Sequence, residues 1–137
     1  MPVDQSLVGR EFPATAPFEV TEEHLGQFAA AVGTRYDGGP APATYPIVLA
    51  FDAMNHFLAA EQVELSRIVH GEQRFAYTRP VVPGDVLTAR LTVVSLRQIG
   101  GNDIIGTRSE ITDAGGAPVC TTTATLVHRG QSGGEEA

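Results

Sequence analysis

The 137-residue sequence contains no lysine, and all nine of its basic residues are arginines. This absence excludes Schiff-base catalysis, a lysine general base and a phosphate-binding lysine of the Walker type. Sixteen acidic residues outnumber the basic ones, which gives a net charge of −7. Nucleic acids and anionic membrane surfaces are bound through clustered positive charge, so we expect neither as a partner.

Cysteine occurs once, at Cys120. A single thiol excludes an internal disulfide and a four-cysteine metal site, and we predict no metal and no other cofactor. Long apolar runs are also missing, since the longest, residues 47–60, contains three polar residues and is too short to span a bilayer. Met1–Arg10 is polar and unlike a signal peptide. We therefore expect a cytoplasmic protein with no membrane contact.

The residues that are present predict one domain over residues 1–130 and a frayed polar tail over residues 131–137. Thr21 followed by two glutamates is typical of a helix start, because the threonine accepts from free amides and the acids complement the helix dipole. Gly33 is typical of a helix end, and a loop over residues 34–44 follows it.

A second helix is predicted from Tyr45-Pro46 to Ala60, and it is apolar on nearly all sides. Such a helix must be enclosed by other structure. Alternating apolar and polar residues with tight turns between them predict four strands, over residues 67–82, 86–98, 104–112 and 118–129. Consecutive strands of this kind predict an antiparallel meander. The fold class is therefore α+β, a hot-dog fold in which a long antiparallel sheet wraps around a central apolar helix. Its open edge predicts a homodimer or a heterodimer.

Several short motifs together resemble the MaoC-like dehydratases, in particular their N-terminal dehydratase group. They are His-Gly-Glu-Gln-Arg-Phe at residues 70–75, Arg79-Pro80-Val81, Pro83-Gly84-Asp85 and Val119-Cys120-Thr121-Thr122, and the resemblance covers residues 4–130. It implies action on (R)-3-hydroxyacyl thioesters of coenzyme A or acyl carrier protein, in fatty acid or polyketide metabolism. Active members use an aspartate and, five residues later, a histidine as acid and base.

The sequence departs from that pattern in the loop after the first helix. Thr34 stands where the resemblance places the aspartate, and Gly39 where it places the histidine. In related two-subunit dehydratases, one chain carries the pair and the other holds the acyl chain. The resemblance therefore implies an acyl-binding subunit that works with a second MaoC-like chain. The alternative is a stand-alone dehydratase, isomerase or cyclase that uses other residues.

The candidate catalytic residues for that alternative are His70, Asp52 with His56, and Asp37. Strand alternation places Glu72 and Arg74 on the same side as His70, which also suits a structural ion-pair cluster. Asp52 and His56 are one helical turn apart, a spacing that also suits two polar side chains that only contact each other and have no catalytic role. Asp37 also suits a structural role, as a residue of a turn. The residues expected to contact the acyl chain are Tyr45, Phe51, Met54, Phe57, Glu72 and Asn102.

Overall fold

The computed structural model describes residues 5–129, so the predicted tail at residues 131–137 lies outside the described residues. A 3-10 turn at Gln5–Leu7 and a second at Leu65–Arg67 accompany two helices and five strands. The elements are β1 (Phe18–Glu19), α1 (Glu22–Ala31), α2 (Ile47–Ala60), β2 (Ile68–Tyr77), β3 (Val86–Ile99), β4 (Asn102–Thr112) and β5 (Pro118–His128). The predicted succession of two helices and four long strands is confirmed.

Both predicted boundaries of α1 are confirmed. The hydroxyl of Thr21 accepts a hydrogen bond from the backbone N–H of His24 at 3.1 Å, which satisfies one of the free amides of the first turn. At the other end Gly33 has φ +86°, a conformation that glycine adopts without steric cost. These two residues therefore set the length of the helix.

The five strands form one antiparallel sheet in the order β1-β3-β4-β5-β2. The prediction of one continuous meander is wrong for β2, which pairs with β5 and not with β3. Proline cannot donate a ladder hydrogen bond, and Pro80 and Pro83 both lie between β2 and β3. The chain consequently leaves the sheet at Tyr77 and joins β3 on the other side of α2.

The two edges of this sheet, one along β3 and one along β2, differ in how well they are covered. Residues before α1 run along β3, where the N–H groups of Gly9, Phe12 and Thr15 donate to carbonyls of β3 at 2.7–2.9 Å. Within residues 5–129 no strand pairs with the outer side of β2. Residues 9–15 therefore protect one edge of the sheet, and β2 is left as the open edge.

One face of α2 packs on the concave side of the sheet. Its buried residues are Leu49, Ala50, Ala53, Met54, Phe57 and Leu58. The exposed stripe of α2 contains Phe51, Asp52, Asn55 and His56, with Phe51 at its margin towards the sheet. The predicted sheet wrapped around a central helix is therefore confirmed, and in the single chain the sheet covers one face of that helix.

Candidate functional site

A narrow cleft separates α2 from the concave face of β2, β4 and β5. The helix lines it with apolar side chains and the sheet lines it mainly with polar ones; together these are Ile47, Ala50, Phe51, Met54, His70, Gln73, Thr107, Ser109, Thr122 and Ala124. Its volume is about 10 Å³, close to the space that one water molecule needs. Two residues predicted to contact the acyl chain, Phe51 and Met54, therefore lie at one site with His70, a candidate catalytic residue.

A β-bulge at Gly71 decides which side chains of β2 face this cleft. Pairing with β5 shifts by one residue between His70, opposite Leu126, and Glu72, opposite Thr125. A bulge adds one residue and so reverses the alternation beyond it. His70 therefore shares the inner face with Gln73.

Glu72 and Arg74 lie on the outer face of the sheet as a consequence. The carboxylate of Glu72 pairs with Arg74 Nη2 at 2.7 Å and accepts from the hydroxyl of Thr125 at 3.5 Å. The prediction that Glu72 and Arg74 share the side of His70 is wrong, because simple alternation takes no account of the bulge. Glu72 does not line the cleft.

The carboxamide of Gln73 is the most unusual group in the cleft. His70 Nε2 lies 2.8 Å from Gln73 Oε1, a distance that suits a hydrogen bond from the imidazole to the amide oxygen. The amide nitrogen, Nε2, is buried and has no hydrogen-bond partner within residues 5–129. Thr107, Ser109 and Thr122 are 4%, 3% and 2% exposed beside it.

Sequence reasoning missed these four polar residues, although the strand pattern contains a signal for two of them. Along β4, burial alternates strictly from Asp103 through Ile105, Thr107 and Ser109 to Ile111. Because the side chains of a strand alternate with period two, the apolar Ile105 and Ile111 already imply an inner face that includes Thr107 and Ser109. Gln73 was not assigned to the inner face, because the alternation of apolar and polar residues along β2 does not reveal the bulge.

The loop between α1 and α2 contains no acid–base pair. Gly39 donates its N–H to Asp37 Oδ1 at 3.3 Å, and the hydroxyl of Tyr36 donates to the Gly39 carbonyl at 2.6 Å. Thr34 donates its N–H to Ala29 at 2.8 Å. The Asp37 carboxylate thus closes a turn, as aspartates commonly do.

Asp52 and His56 are neighbours on the exposed stripe of α2. Their side chains are 3.9 Å apart and each is 55% exposed. An exposed pair of this kind contributes little energy, because water and salt screen the charges. The structure therefore places this pair away from the polar floor of the cleft.

Tyr45 and Phe57 lie in the hydrophobic core rather than on the cleft wall, and both are 0% exposed. The hydroxyl of Tyr45 lies 2.6 Å from His24 Nδ1, and burial raises the pKa of Tyr45 to about 12. Phe57 packs edge-on against Phe12 with ring centroids 5.1 Å apart. Both side chains hold the helices in place, and neither is among the residues that line the cleft.

Asn102 begins β4, opposite Ile99 of the β3–β4 hairpin. It precedes Thr107 by five residues, which is about 16 Å along a strand at about 3.3 Å per residue. Asn102 therefore lies beyond the cleft, at the end of the sheet.

A second and wider groove lies beside the loop that precedes α2. Its volume is about 360 Å³, and it is lined by Ala41, Ala43 and the segment from Tyr77 to Val81. Arg79 in this groove binds Asp85 through both Nη1 and Nη2, at 2.9 and 3.1 Å, and Asp113 at 3.3 Å. Two carboxylates compensate its charge, so Arg79 serves the fold rather than an anion.

A reactive cysteine and a metal site are the remaining chemical possibilities within residues 5–129. Cys120 is buried, and burial raises the pKa of its thiol, which disfavours the reactive thiolate. Within residues 5–129 no three His, Cys, Asp or Glu side chains meet as metal ligands would. None of the helices in that same part of the chain has the length and apolarity needed to cross a membrane.

A curled antiparallel sheet packed on one central helix, with a cleft at its open edge, defines a hot-dog protein of the MaoC-like dehydratase class. The family described as FAS1-like, dehydratase domain region, matches residues 6–122. The chain belongs to this family, and it is 42% identical to a UPF0336 protein from Clavibacter michiganensis over 95% of this chain and 98% of that relative. A UPF0336 protein from Streptomyces avermitilis is 39% identical over 94% and 97% of the two chains.

Solved structures agree with this assignment. The HadBC (3R-hydroxyacyl-ACP dehydratase) complex from Mycobacterium tuberculosis contains a chain with a TM-score of 0.80 and 29% identity, over 93% of this chain and 99% of that one. A MaoC-like dehydratase has a TM-score of 0.75 at 24% identity, over 93% of this chain and 44% of that one. The second match supports the fold alone.

Proposed function

We propose that this chain is the acyl-binding subunit of an (R)-3-hydroxyacyl-thioester dehydratase and that a second MaoC-like chain supplies the acid and the base. The observation that carries the proposal is the contrast between its two candidate sites. The family resemblance places the catalytic pair at Thr34 and Gly39, which are neither acid nor base, and Asp37 beside them is engaged in a turn. The cleft along α2 keeps apolar side chains for an acyl group.

The missing groups decide what this chain can do by itself. Dehydration needs a base for the proton beside the thioester carbonyl and an acid for the departing hydroxyl. Each such group typically contributes about 10²–10⁴-fold to the rate. A chain without both retains binding and orientation of the acyl group, and its turnover is correspondingly slow.

An open edge beside exposed apolar side chains supports assembly with a second chain. On β2, Val69 and Tyr77 are 48% and 40% exposed, and Phe51 on the neighbouring stripe of α2 is 41% exposed. Unpaired strand edges readily add another strand, and apolar side chains around such an edge favour an interface. The related HadBC structure is itself described as a complex.

The test is to purify the chain alone and together with a MaoC-like chain of the same genome that carries the aspartate and histidine. We expect the pair to co-purify and to hydrate a crotonyl-type thioester, followed by loss of enoyl absorbance. The chain alone should be slower by at least about 10²-fold. Equal turnover by the homogeneous single chain would contradict the proposal.

The interface is tested by Phe51→Asp, which places a charge on the exposed stripe of α2. Val8→Asp is the matched control, because Val8 is 45% exposed and precedes the segment that covers β3. Sedimentation should show that Phe51→Asp weakens association and that Val8→Asp does not. Equal effects of the two variants, or none, would refute this interface.

His70 in the cleft favours the alternative of a stand-alone enzyme, because an imidazole there is able to act as a base. The discriminating variants are His70→Ala and Glu72→Ala, on opposite faces of one strand. Under the alternative, His70→Ala abolishes the turnover of the single chain at unchanged melting temperature and Glu72→Ala does not. Under the main proposal Glu72→Ala leaves the activity of the complex intact, whereas His70→Ala, at the wall of the cleft, raises KM for the thioester and leaves kcat largely unchanged.

A further inference from the structure

We infer that the acyl chain bound in this cleft carries a further oxygen substituent, a hydroxyl or keto group beyond carbon 3, which is bound by Gln73. The inference rests on the proposed acyl-binding function and specifies its substrate class. In that function the hydroxyl at carbon 3 must reach the acid and base of the partner chain. The oxygen that meets Gln73 is therefore a different one, further along the acyl chain.

The first argument is the unsatisfied carboxamide. Gln73 Nε2 is buried without a hydrogen-bond partner within residues 5–129, while His70 Nε2 is 2.8 Å from the amide oxygen and fixes its orientation. Burying a donor without a partner is costly, and native proteins rarely retain one without a role. If the amide is turned over, its oxygen takes the same place, and a ligand hydroxyl satisfies either atom.

The second argument is the polarity of the surrounding floor. Thr107, Ser109 and Thr122 line the same cleft and are almost fully buried. A cleft for a plain alkyl chain gains from apolar residues at every position, since each buried hydroxyl loses its contact with water. Here only the helix side is apolar, where Phe51 and Met54 suit the methylene groups of the chain.

The third argument is size. The cleft has a volume of about 10 Å³, so the space beside Gln73 admits one oxygen-sized substituent of an acyl chain that lies along Phe51 and Met54. In the free protein this space suits one water molecule. A ligand hydroxyl or keto oxygen replaces that water and keeps its hydrogen bonds, whereas a methylene group loses them.

The test compares pantetheine thioesters of one acyl length, one unsubstituted and the others with a single hydroxyl at successive carbons beyond the third. Binding to the full-length protein, alone and in complex with its partner chain, is measured by calorimetry. We expect one isomer to bind about tenfold more tightly than the unsubstituted thioester, the effect of one well-placed hydrogen bond.

The variant Gln73→Leu should abolish this preference and raise the melting temperature, because it removes the unsatisfied donor. Glu72→Leu is the matched control, since it makes the same kind of change at the adjacent residue on the outer face; it should leave the preference unchanged. Thr107→Val, which changes a hydroxyl to a methyl group, should also reduce the preference and provides the test if Gln73→Leu does not fold.

The outcomes separate the inference from the function on which it rests. Equal affinity for all the thioesters, or a preference that survives both Gln73→Leu and Thr107→Val, would overturn the inference and leave the acyl-binding function standing. A dimer structure in which a partner side chain satisfies Gln73 would also overturn it. Failure of every thioester to bind would overturn both.

Discussion

Phe51 and Phe57 offer a matched pair of truncations on one helix, because sequence reasoning assigned both to the acyl site and the structure separates them. Phe57 is 0% exposed and Phe51 is 41% exposed. Only Phe51 lines the cleft, whereas Phe57 packs against Phe12. We therefore expect Phe57→Ala to destabilise the fold and Phe51→Ala to weaken ligand binding.

The expected energies follow from burial. Truncating a fully buried phenylalanine costs about 3–5 kcal/mol, a large share of the roughly 5–15 kcal/mol that stabilises a typical domain. Phe51 is only partly buried, so Phe51→Ala should lower the free energy of unfolding by about 1 kcal/mol. With a urea m-value of about 2 kcal/mol per molar, the midpoint should fall by about 1.5–2.5 M for Phe57→Ala and about 0.5 M for Phe51→Ala.

Urea unfolding followed by circular dichroism, at one protein concentration for all variants, measures these shifts, since association also contributes to stability. Thioester binding is measured on the same samples under native conditions. A Phe57→Ala protein as stable as Phe51→Ala would refute the assignment of Phe57 to the core. Unchanged acyl affinity in Phe51→Ala would refute the place of Phe51 in the site.

Two further predictions concern stability. Burial raises the pKa of Tyr45 from 10.0 to about 12, so its contribution is complete below pH 10 and is lost as the pH rises towards 12. Burial also raises the pKa of Tyr77 to about 12, so Tyr45→Phe and Tyr77→Phe should each flatten the alkaline fall in unfolding free energy. An alkaline fall that is unchanged in Tyr45→Phe would contradict this. Arg79→Lys should lower the free energy of unfolding by about 1.5 kcal/mol in denaturant titrations, since a lysine lacks the planar guanidinium that binds Asp85 and Asp113 together. A decrease no larger than that caused by Arg90→Lys would refute this prediction.

Much of the fold was predictable because its signals are local. Thr21 and Gly33 mark the ends of α1 through caps that depend on neighbouring residues alone. The alternation in the first half of β3 depends only on the period of a strand, so its buried face was predictable as far as the bulge between Val93 and Ser95. The absence of an acid–base pair at Thr34 and Gly39 was likewise a property of the sequence, interpreted through a family resemblance.

Tertiary structure decided the features that depend on residues far apart in the chain. The local sequence pattern does not show that β2 pairs with β5, because that pairing joins segments about fifty residues apart in the chain. The bulge at Gly71 then reversed the faces of β2, which moved Glu72 to the outer surface and turned Gln73 into the cleft. Phe51 and Phe57 carry the same side chain on the same helix, and only packing against the sheet separates a cleft residue from a core residue.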